Sequence, residues 1–276
     1  MTTTAASLGT ARYARALGGI VGREVLRFVH QRERFLSALV RPMLWLFVFA
    51  AGFRAALGIA ITPPYETYIP YEVYIVPGLV GMIQLFNGMQ SSLSMVYDRE
   101  MGSMRMLLVS PLPRWFLLTA KLLAGTAVSI LQVYAFLAIA WVYGVQAPPL
   151  GYVTVLPALV VSGLMLGALG MLLSSAIRQL ENFAGVMNFV IFPTFFLSTA
   201  LYPLWKMQEA GELLHAICAV NPFSQAVELI RHALYLKLNA EALSWTALAL
   251  AVFLGGAVFG YNPAKGFLAR RGVGAE

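Results

Sequence analysis

Charged side chains are scarce in this sequence of 276 residues, since Asp, Glu, Lys and Arg together make up only 11% of it. Soluble domains carry about a quarter charged residues, so the composition does not fit an ordinary soluble domain. Cysteine is almost missing as well. Cys218 is the single cysteine, and a disulfide within the chain is therefore excluded.

Features of common enzymes are also missing. No segment reads G-x-x-x-x-G-K-[ST], so the chain has no phosphate-binding loop of the usual kind for ATP. The histidines, His30, His215 and His232, lie far apart and lack the H-E-x-x-H spacing of a zinc protease. His215 and Cys218 are helical neighbours, but no acid that could orient the histidine is evident. We therefore expect no enzyme activity, and no cofactor or metal bound by this chain.

Long apolar runs are what the sequence has in abundance, because 59% of its residues are hydrophobic. A membrane-spanning helix needs about 20 mostly apolar residues, and the runs do not alternate as barrel strands do. The sequence therefore predicts an all-α, polytopic membrane protein with six transmembrane helices. The predicted spans are residues 42–61, 73–95, 116–143, 156–177, 183–204 and 243–261.

The basic residues predict the orientation, because cytoplasmic segments of membrane proteins are enriched in Lys and Arg. With six spans both termini lie on one side, and that side holds all but four of the 19 basic residues. We expect both termini to be cytoplasmic and the protein to lie in a bacterial inner membrane. Anionic lipid headgroups account for the net charge of +7, so no nucleic-acid partner is needed. The four outer residues are Arg54, Lys206, Arg231 and Lys237.

The segment before the first span predicts an amphipathic helix on the cytoplasmic surface, because its apolar and basic residues separate onto two helical faces. We assign residues 1–37 to this element and residues 38–276 to the transmembrane domain. The helix is either a simple anchor or a lever between a cytoplasmic partner and the first span. The apolar face comprises Leu17, Ile20, Val21, Val25, Phe28 and Val29, and the basic face Arg12, Arg23, Arg27 and Arg34.

The cytoplasmic loop between the second and third predicted spans begins with charged residues, continues with Met and Leu, and ends at two prolines. This pattern predicts a short amphipathic helix across the membrane surface, stopped at Pro111 and Pro113. Such a helix would suit docking into a groove on another protein. The alternative is an ordinary solvated loop with an interfacial turn.

The outer segment of residues 205–242 is too apolar for a solvated loop and too often interrupted by polar residues to span. It predicts a pair of short re-entrant helices that dip into the outer leaflet. Asn221 and Pro222 would form the turn between them, since proline disfavours helix at the preceding residue. Glu228 and Arg231 are three residues apart and could pair on one helical face.

Two motifs resemble the ABC type-2 transporter permeases. The segment from Glu100 through Pro111, followed by Lys121, resembles their coupling loop, and Asn221-Pro222 with Glu228 and Arg231 resembles their outer motif. The resemblance covers essentially the whole chain and is closest to the NodJ and daunorubicin-exporter branch. It departs at Ser103, where the family often has threonine, and after Pro203, where the usual second proline is missing.

The resemblance implies a permease subunit that exports an amphiphilic, lipid-linked or saccharide substrate. A separate ATPase subunit would bind ATP and Mg and supply the energy, and two copies of the permease would form the transporter. The coupling loop would enter a cleft of the ATPase. Its residues would be Asp98, Arg99, Glu100, Met101, Gly102, Ser103, Arg105, Leu107, Ser110 and Pro111.

Residues within the predicted spans leave several alternatives open. The aromatic side chains of Trp45, Phe49, Phe192 and Phe196 would line a substrate path, or would pack and face lipid. Gly163 and Gly167 would pack helices within one subunit or between two. The polar residues Gln84, Asn87 and Gln90 would bond to a neighbouring helix or line the path.

The alternative function is a secondary transporter or channel that is not coupled to ATP. Such proteins usually carry ionisable residues at mid-membrane depth, whereas the acids here cluster at the span ends. A structural scaffold would leave the outer segment unexplained.

Overall fold

The architecture comes from a computed structural model that describes residues 10–30, 32–49, 63–67, 69–101, 112–177 and 179–261. These residues form α-helices and no extended strand, which confirms the all-α prediction. The helices are α1 (Thr10–His30), α2 (Arg32–Leu44), α3 (Tyr71–Glu100), α4 (Arg114–Val142), α5 (Gly151–Ala176), α6 (Leu180–Phe196), α7 (Leu204–Ala210), α8 (Glu212–Val220), α9 (Pro222–Leu234) and α10 (Ala240–Gly260). A π-helical turn, Trp45–Phe49, follows α2 directly.

The two N-terminal helices lie beside α4. The ring of Tyr13 on α1 packs edge-on against Phe116 at 4.9 Å between centroids, while Arg23 on the basic face is exposed. Phe28 on the apolar face is buried. The proposed boundary at residue 37 falls inside α2, which continues through Pro42 to Leu44.

Three helices in the described part are long and apolar enough to cross a membrane: Trp115–Val142, Gly151–Ala176 and Ala240–Gly260. They coincide with the third, fourth and sixth predicted spans. A fourth candidate arises if the pair Glu212–Val220 and Pro222–Leu234, bent by 70°, is counted as one span. Much of the first predicted span lies outside the described residues, which end at 49 and resume at 63.

The fifth predicted span is shorter than expected. Its helix α6 ends at Phe196, whereas the apolar run continues to residue 204. The side chain of Asn221 donates to the carbonyls of Thr194 and Leu197 at 2.8 and 2.6 Å. Because these carbonyls at the helix end are satisfied from outside, the chain can leave the helix without stranding buried acceptors.

The central helix α3 carries the polar residues of the second predicted span. It packs against α4, α5, α6 and α9, so these side chains meet protein over much of their surroundings. Gln84 is 1% exposed; its amide donates to the Leu159 carbonyl at 2.7 Å and accepts from the Ser162 hydroxyl at 2.6 Å. The Asn87 amide donates to Gln132 on α4. The predicted hydrogen bonds to neighbouring helices are therefore confirmed for Gln84 and Asn87.

Glycines allow α3, α4 and α5 to approach closely. A Cβ atom on Gly88 would lie 2.9 Å from the Cα atom of Gly167, and one on Gly163 would lie 2.8 Å from the Cγ2 atom of Thr126. Gly163 and Gly167 are both buried within the described chain. Their packing within one subunit is thus confirmed, and the alternative of a subunit interface at this pair is wrong, since other helices already occupy that face.

We expect Gly88→Ala to lower the free energy of unfolding. The added methyl group meets backbone atoms of α5, and overpacking of this kind costs about 1–3 kcal/mol. Gly255→Ala on α10 is the matched control, because no atom lies within 4 Å of its Cβ position. Unfolding midpoints of both variants in one detergent would measure the difference. Equal midpoints for the two variants would contradict the close contact between α3 and α5.

Candidate functional site

The outer segment bends where it was predicted to bend. Helix α8 ends at Val220 and α9 begins at Pro222, a position where the missing N–H of proline costs no helical hydrogen bond. The side-chain oxygen of Asn221 accepts from the Phe223 N–H at 2.9 Å and so caps α9. Because its amide nitrogen donates to the end of α6, one side chain joins two helix ends. The short helix α7 preceding this pair was not predicted.

The loop of residues 197–203, between α6 and α7, is held by side chains of α3 and α9. The Thr199 N–H donates to the Ser224 hydroxyl at 3.2 Å, and the Thr199 hydroxyl donates to the Ser224 carbonyl at 3.4 Å. From α3, the Tyr74 hydroxyl donates to the Thr199 carbonyl at 2.9 Å. A Cβ atom on Gly78 would lie 2.3 Å from the Ala200 carbonyl oxygen, so only glycine permits this approach of α3 to the loop.

Arg231 lies at the centre of these contacts with only 1% of its surface exposed. Its guanidinium forms an ion pair with Glu228 on the same helix, donates to the Thr199 carbonyl at 2.9 Å, and lies 4.1 Å above the Tyr74 ring centroid. A buried charge requires such partners, since its desolvation otherwise costs several kcal/mol. We call Tyr74, Thr199, Asn221, Ser224, Glu228 and Arg231 the outer cluster.

The loop 63–67 covers the outer cluster from the side. The Tyr65 ring packs edge-on against Tyr235 at 4.7 Å, and burial raises the pKa of Tyr65 well above its usual value although the charge of Arg231 opposes the shift. Tyr65 is therefore a neutral hydroxyl at physiological pH. Lys237, after α9, donates to the Pro64 carbonyl at 2.9 Å and pairs with Glu66 at 3.2 Å.

The outer cluster contains three of the four residues singled out from the sequence, Asn221, Glu228 and Arg231, and the fourth, Pro222, begins α9 next to Asn221. The predicted pairing of Glu228 with Arg231 is confirmed. Sequence reasoning missed Tyr74, Thr199 and Ser224. No local spacing could have revealed them, because the Tyr74 hydroxyl meets a carbonyl 125 positions away. In the described ranges, no group of three or more His, Cys, Asp or Glu side chains could hold a metal ion.

The sequence of this chain matches a known protein family. The family model described as ABC-2 type transporter matches residues 15–235, which include the N-terminal helices, α3 to α6 and the whole outer cluster. The chain belongs to the ABC-2 type transporter family. As a member it is the membrane subunit of an ABC transporter.

Individual relatives of this ABC-2 chain are transport permeases by name. It is 31% identical over 188 residues to the Escherichia coli K12 protein named "probable multidrug ABC transporter permease YbhR", covering 67% of this chain but only 49% of YbhR. It is 27% identical over 220 residues to the transport permease ycf38 of Cyanophora paradoxa, and the match covers 77% of this chain and 71% of ycf38. The ycf38 protein of Porphyra purpurea is 26% identical over 219 residues, covering 77% and 72%. Membership of the NodJ and daunorubicin-exporter branch stays a prediction.

The predicted coupling loop of this ABC-2 chain lies only partly within the described residues. Asp98, Arg99 and Glu100 form the last turn of α3, and Met101 follows it in a turn. The Glu100 carboxylate accepts from the Leu180 N–H at 3.3 Å, at the start of α6. The remaining predicted residues, Gly102, Ser103, Arg105, Leu107, Ser110 and Pro111, lie outside the described part, so docking by this loop stays a prediction.

Three of the four predicted path residues, those whose side chains the structure describes, lie close together. The Trp45 ring lies 5.8 Å from the Phe196 ring, and Phe192 stacks on Phe196 at 6.3 Å with an interplanar angle of 20°. Phe192 and Phe196 are exposed. The side chain of Phe49 lies outside the described residues. We call Trp45, Phe192 and Phe196 the aromatic cluster; its role in a path stays a prediction.

We expect Glu228→Gln to destabilise the permease strongly. The change leaves the Arg231 charge buried without its carboxylate, and breaking a buried pair costs on the order of 3 kcal/mol. Glu209→Gln is the control, because it breaks the Lys206–Glu209 pair, which has the same spacing of three residues but is solvent-exposed. Exposed pairs contribute about 1 kcal/mol or less. Thermal unfolding in one detergent would compare the two, and equal shifts would contradict the central position of Arg231.

We also expect Asn221→Asp to lower the unfolding temperature, although aspartate is a good helix cap. The carboxylate would still accept from the Phe223 N–H, but its second oxygen would face the Thr194 and Leu197 carbonyls instead of donating to them. Asn239→Asp is the matched control, since Asn239 caps α10 by accepting from the Ala242 N–H. We expect that variant to keep its unfolding temperature. An equal decrease in unfolding temperature for both variants would contradict the stabilising role of the hydrogen bonds from Asn221 to the end of α6.

Proposed function

We propose that this chain is the permease of an ATP-driven exporter for an amphiphilic, lipid-linked or saccharide substrate. Hydrolysis of ATP, bound with Mg, would occur on a separate ATPase subunit, and two copies of the permease would form the transport path. The match to the ABC-2 type transporter family over residues 15–235 is the main support, because it covers the start of the inner loop and the outer cluster together. The name of YbhR, which includes multidrug transport, agrees with an amphiphilic substrate.

The proposed topology keeps six spans with both termini in the cytoplasm of a bacterial cell. Helix α3 has 30 residues and is about 45 Å long at 1.5 Å per residue, longer than the roughly 30 Å of a hydrocarbon core. Its side chains Gln84 and Asn87 bond to other helices, which lowers their cost at that depth. Helix α6 and the segment beginning at Pro42 supply the remaining two spans. Helices α8 and α9 dip into the outer leaflet, and residues 1–37 form the cytoplasmic surface element.

A mechanical connection between the two ends of the subunit supports coupling to an ATPase. Glu100 ends α3 within the predicted coupling loop. Tyr74, which belongs to the outer cluster, lies on the same helix and donates to the Thr199 carbonyl. The 26 intervening steps make roughly 39 Å of continuous helix. A push on the inner loop during closure of the ATPase dimer would therefore reach the Thr199 carbonyl and the loop 197–203. We propose that this movement opens the outer side, as a shift between two global states.

The test replaces one loop glycine and a matched residue on the opposite face. The permease is purified with the phosphate-loop ATPase that co-purifies with it and is reconstituted in phosphatidylcholine vesicles. We expect Gly102→Arg to reduce the permease-dependent stimulation of ATP hydrolysis by tenfold or more, on the order of the loss of one or two good contacts. Gln146→Arg adds the same side chain to an exposed site in the loop between α4 and α5 and should change nothing.

Thermal unfolding of both variants would verify that the permease still folds. Coupling retained by Gly102→Arg would overturn the role of the loop. Transport that is driven by a proton gradient, with no ATPase in the purified sample, would favour the secondary transporter instead.

A further inference from the structure

A second polar feature lies away from the outer cluster. A cavity of about 280 Å³ opens between α2, α3, α4 and α6, close to the lower size of ordinary small-molecule pockets, about 300 Å³. We call it the inner cavity. Its polar lining consists of Arg41, Asn87, Gln90, Gln132 and Asn188, and its apolar lining includes Met82, Phe86 and Met187.

The inner cavity lies along the middle part of α3, so Arg41, which we expected at the cytoplasmic end of the first span, lies against the membrane-spanning part of that helix. Asn87 is near the middle of α3, on the order of 20 Å from either end of the helix. Asn87 and Gln132 bond to each other, but Gln90 and Asn188 are exposed, and neither side-chain amide forms a hydrogen bond within the described part of the chain. Unpaired polar groups are costly in hydrocarbon and usually face a polar path. This surface therefore does not fit contact with lipid tails.

Arg41 adds one positive charge to the lining. Its guanidinium carbon lies 3.7 Å from the centroid of the Phe86 ring. A cation–π contact does not use up the N–H donors of the guanidinium, so they can still form a bidentate contact with a phosphate or carboxylate. Among the described residues, no carboxylate pairs with Arg41. Charge and donors are thus available to an anion.

The aromatic cluster continues the inner cavity along the same two helical segments. Trp45 follows Arg41 by four residues, and Phe192 follows Asn188 by four residues, so each ring lies one helical turn beyond a polar lining residue on the same face. Phe196 brings the two rings together. A polar, positively charged group and an apolar, aromatic group therefore follow one another along α6 and along the segment from Arg41 to Trp45.

We propose that the inner cavity binds the anionic head group of an amphiphile, a phosphate or carboxylate, while the aromatic cluster holds its apolar chain. Arg41 would contact the anion, and Gln90 and Asn188 would donate to its oxygens. This inference rests on the proposed function, because it names the head group of the substrate that the permease would carry. It also predicts that neutral or zwitterionic amphiphiles bind more weakly.

The test measures equilibrium binding of radiolabelled dodecyl phosphate to the full-length permease alone, in phosphatidylcholine nanodiscs. We expect saturable binding that Arg41→Gln weakens about tenfold or more, as expected for loss of one charge-assisted hydrogen bond. Asn188→Leu should weaken binding by a smaller factor, and Arg41→Lys should recover part of the loss. Arg23→Gln is the control, because it removes an exposed arginine of α1 outside the cavity, and it should not alter the dissociation constant.

Competing ligands distinguish the sources of the anion. We expect unlabelled dodecyl phosphate to displace the label, and dodecylphosphocholine and inorganic phosphate to do so only at concentrations at least tenfold higher. Equal competition by dodecylphosphocholine would overturn the proposed preference for an anionic head group. Equal competition by inorganic phosphate would overturn the proposed binding of the apolar chain by the aromatic cluster. An unchanged dissociation constant in both Arg41→Gln and Asn188→Leu, with unfolding temperatures preserved, would overturn the site.

Failure of this site and failure of the proposed function have different signatures. If the wild-type complex couples ATP hydrolysis to transport while Arg41→Gln binds dodecyl phosphate normally, only the site is wrong. If dodecyl phosphate binds as expected but no ATPase couples to the permease, the site stands and the ATP-driven mechanism fails. A loss of dimerisation in Asn188→Leu with unchanged binding would assign this surface to a second copy of the chain and overturn the proposal.

Discussion

The charge of Arg231 must be compensated by neighbouring groups, because the side chain is buried among apolar helices with 1% of its surface exposed. Glu228 supplies the counter-charge, and the Thr199 carbonyl accepts a hydrogen bond from the guanidinium. The Tyr74 ring makes a cation–π contact with it. These three partners come from α9, the loop 197–203 and α3. Neutralising one charge therefore joins three elements that are distant in sequence. Removal of the Glu228 carboxylate would leave the buried charge without its counter-ion, which is strongly destabilising.

Buried polar groups also need partners in the central helix α3, which carries several side-chain amides. In a bilayer the buried amides of this helix would lack water, so bonds to protein lower their cost. Gln84 reaches α5 and Asn87 reaches α4, while glycines such as Gly88 permit the helices to come close enough for these bonds. Close packing and polar pairing thus depend on each other, since a separation of the helices by one methyl group would also lengthen the hydrogen bonds.

These contacts suit a subunit that passes movement from one side to the other. Helix α3 joins the coupling loop, which starts after Glu100, to the outer cluster through Tyr74. Helix α6 begins beside Glu100, and the carbonyls at its other end accept from Asn221. Two helices therefore share an inner contact and an outer contact. Between those ends, the inner cavity and the aromatic cluster expose polar and aromatic side chains, among them Gln90, Asn188, Phe192 and Phe196. In the proposed function this surface would contact the substrate.

The sequence by itself determined the helical class, the bend at Asn221-Pro222 and the pairing of Glu228 with Arg231, because each depends on hydropathy or on neighbours within one helical turn. It also determined the family resemblance, which rests on the order of local motifs. Only the tertiary structure decided that Gly163 and Gly167 pack within the subunit, that α6 stops at Phe196, and that Arg41 and Asn188 face one cavity. Those outcomes depend on contacts between residues up to more than a hundred positions apart, which no local pattern records.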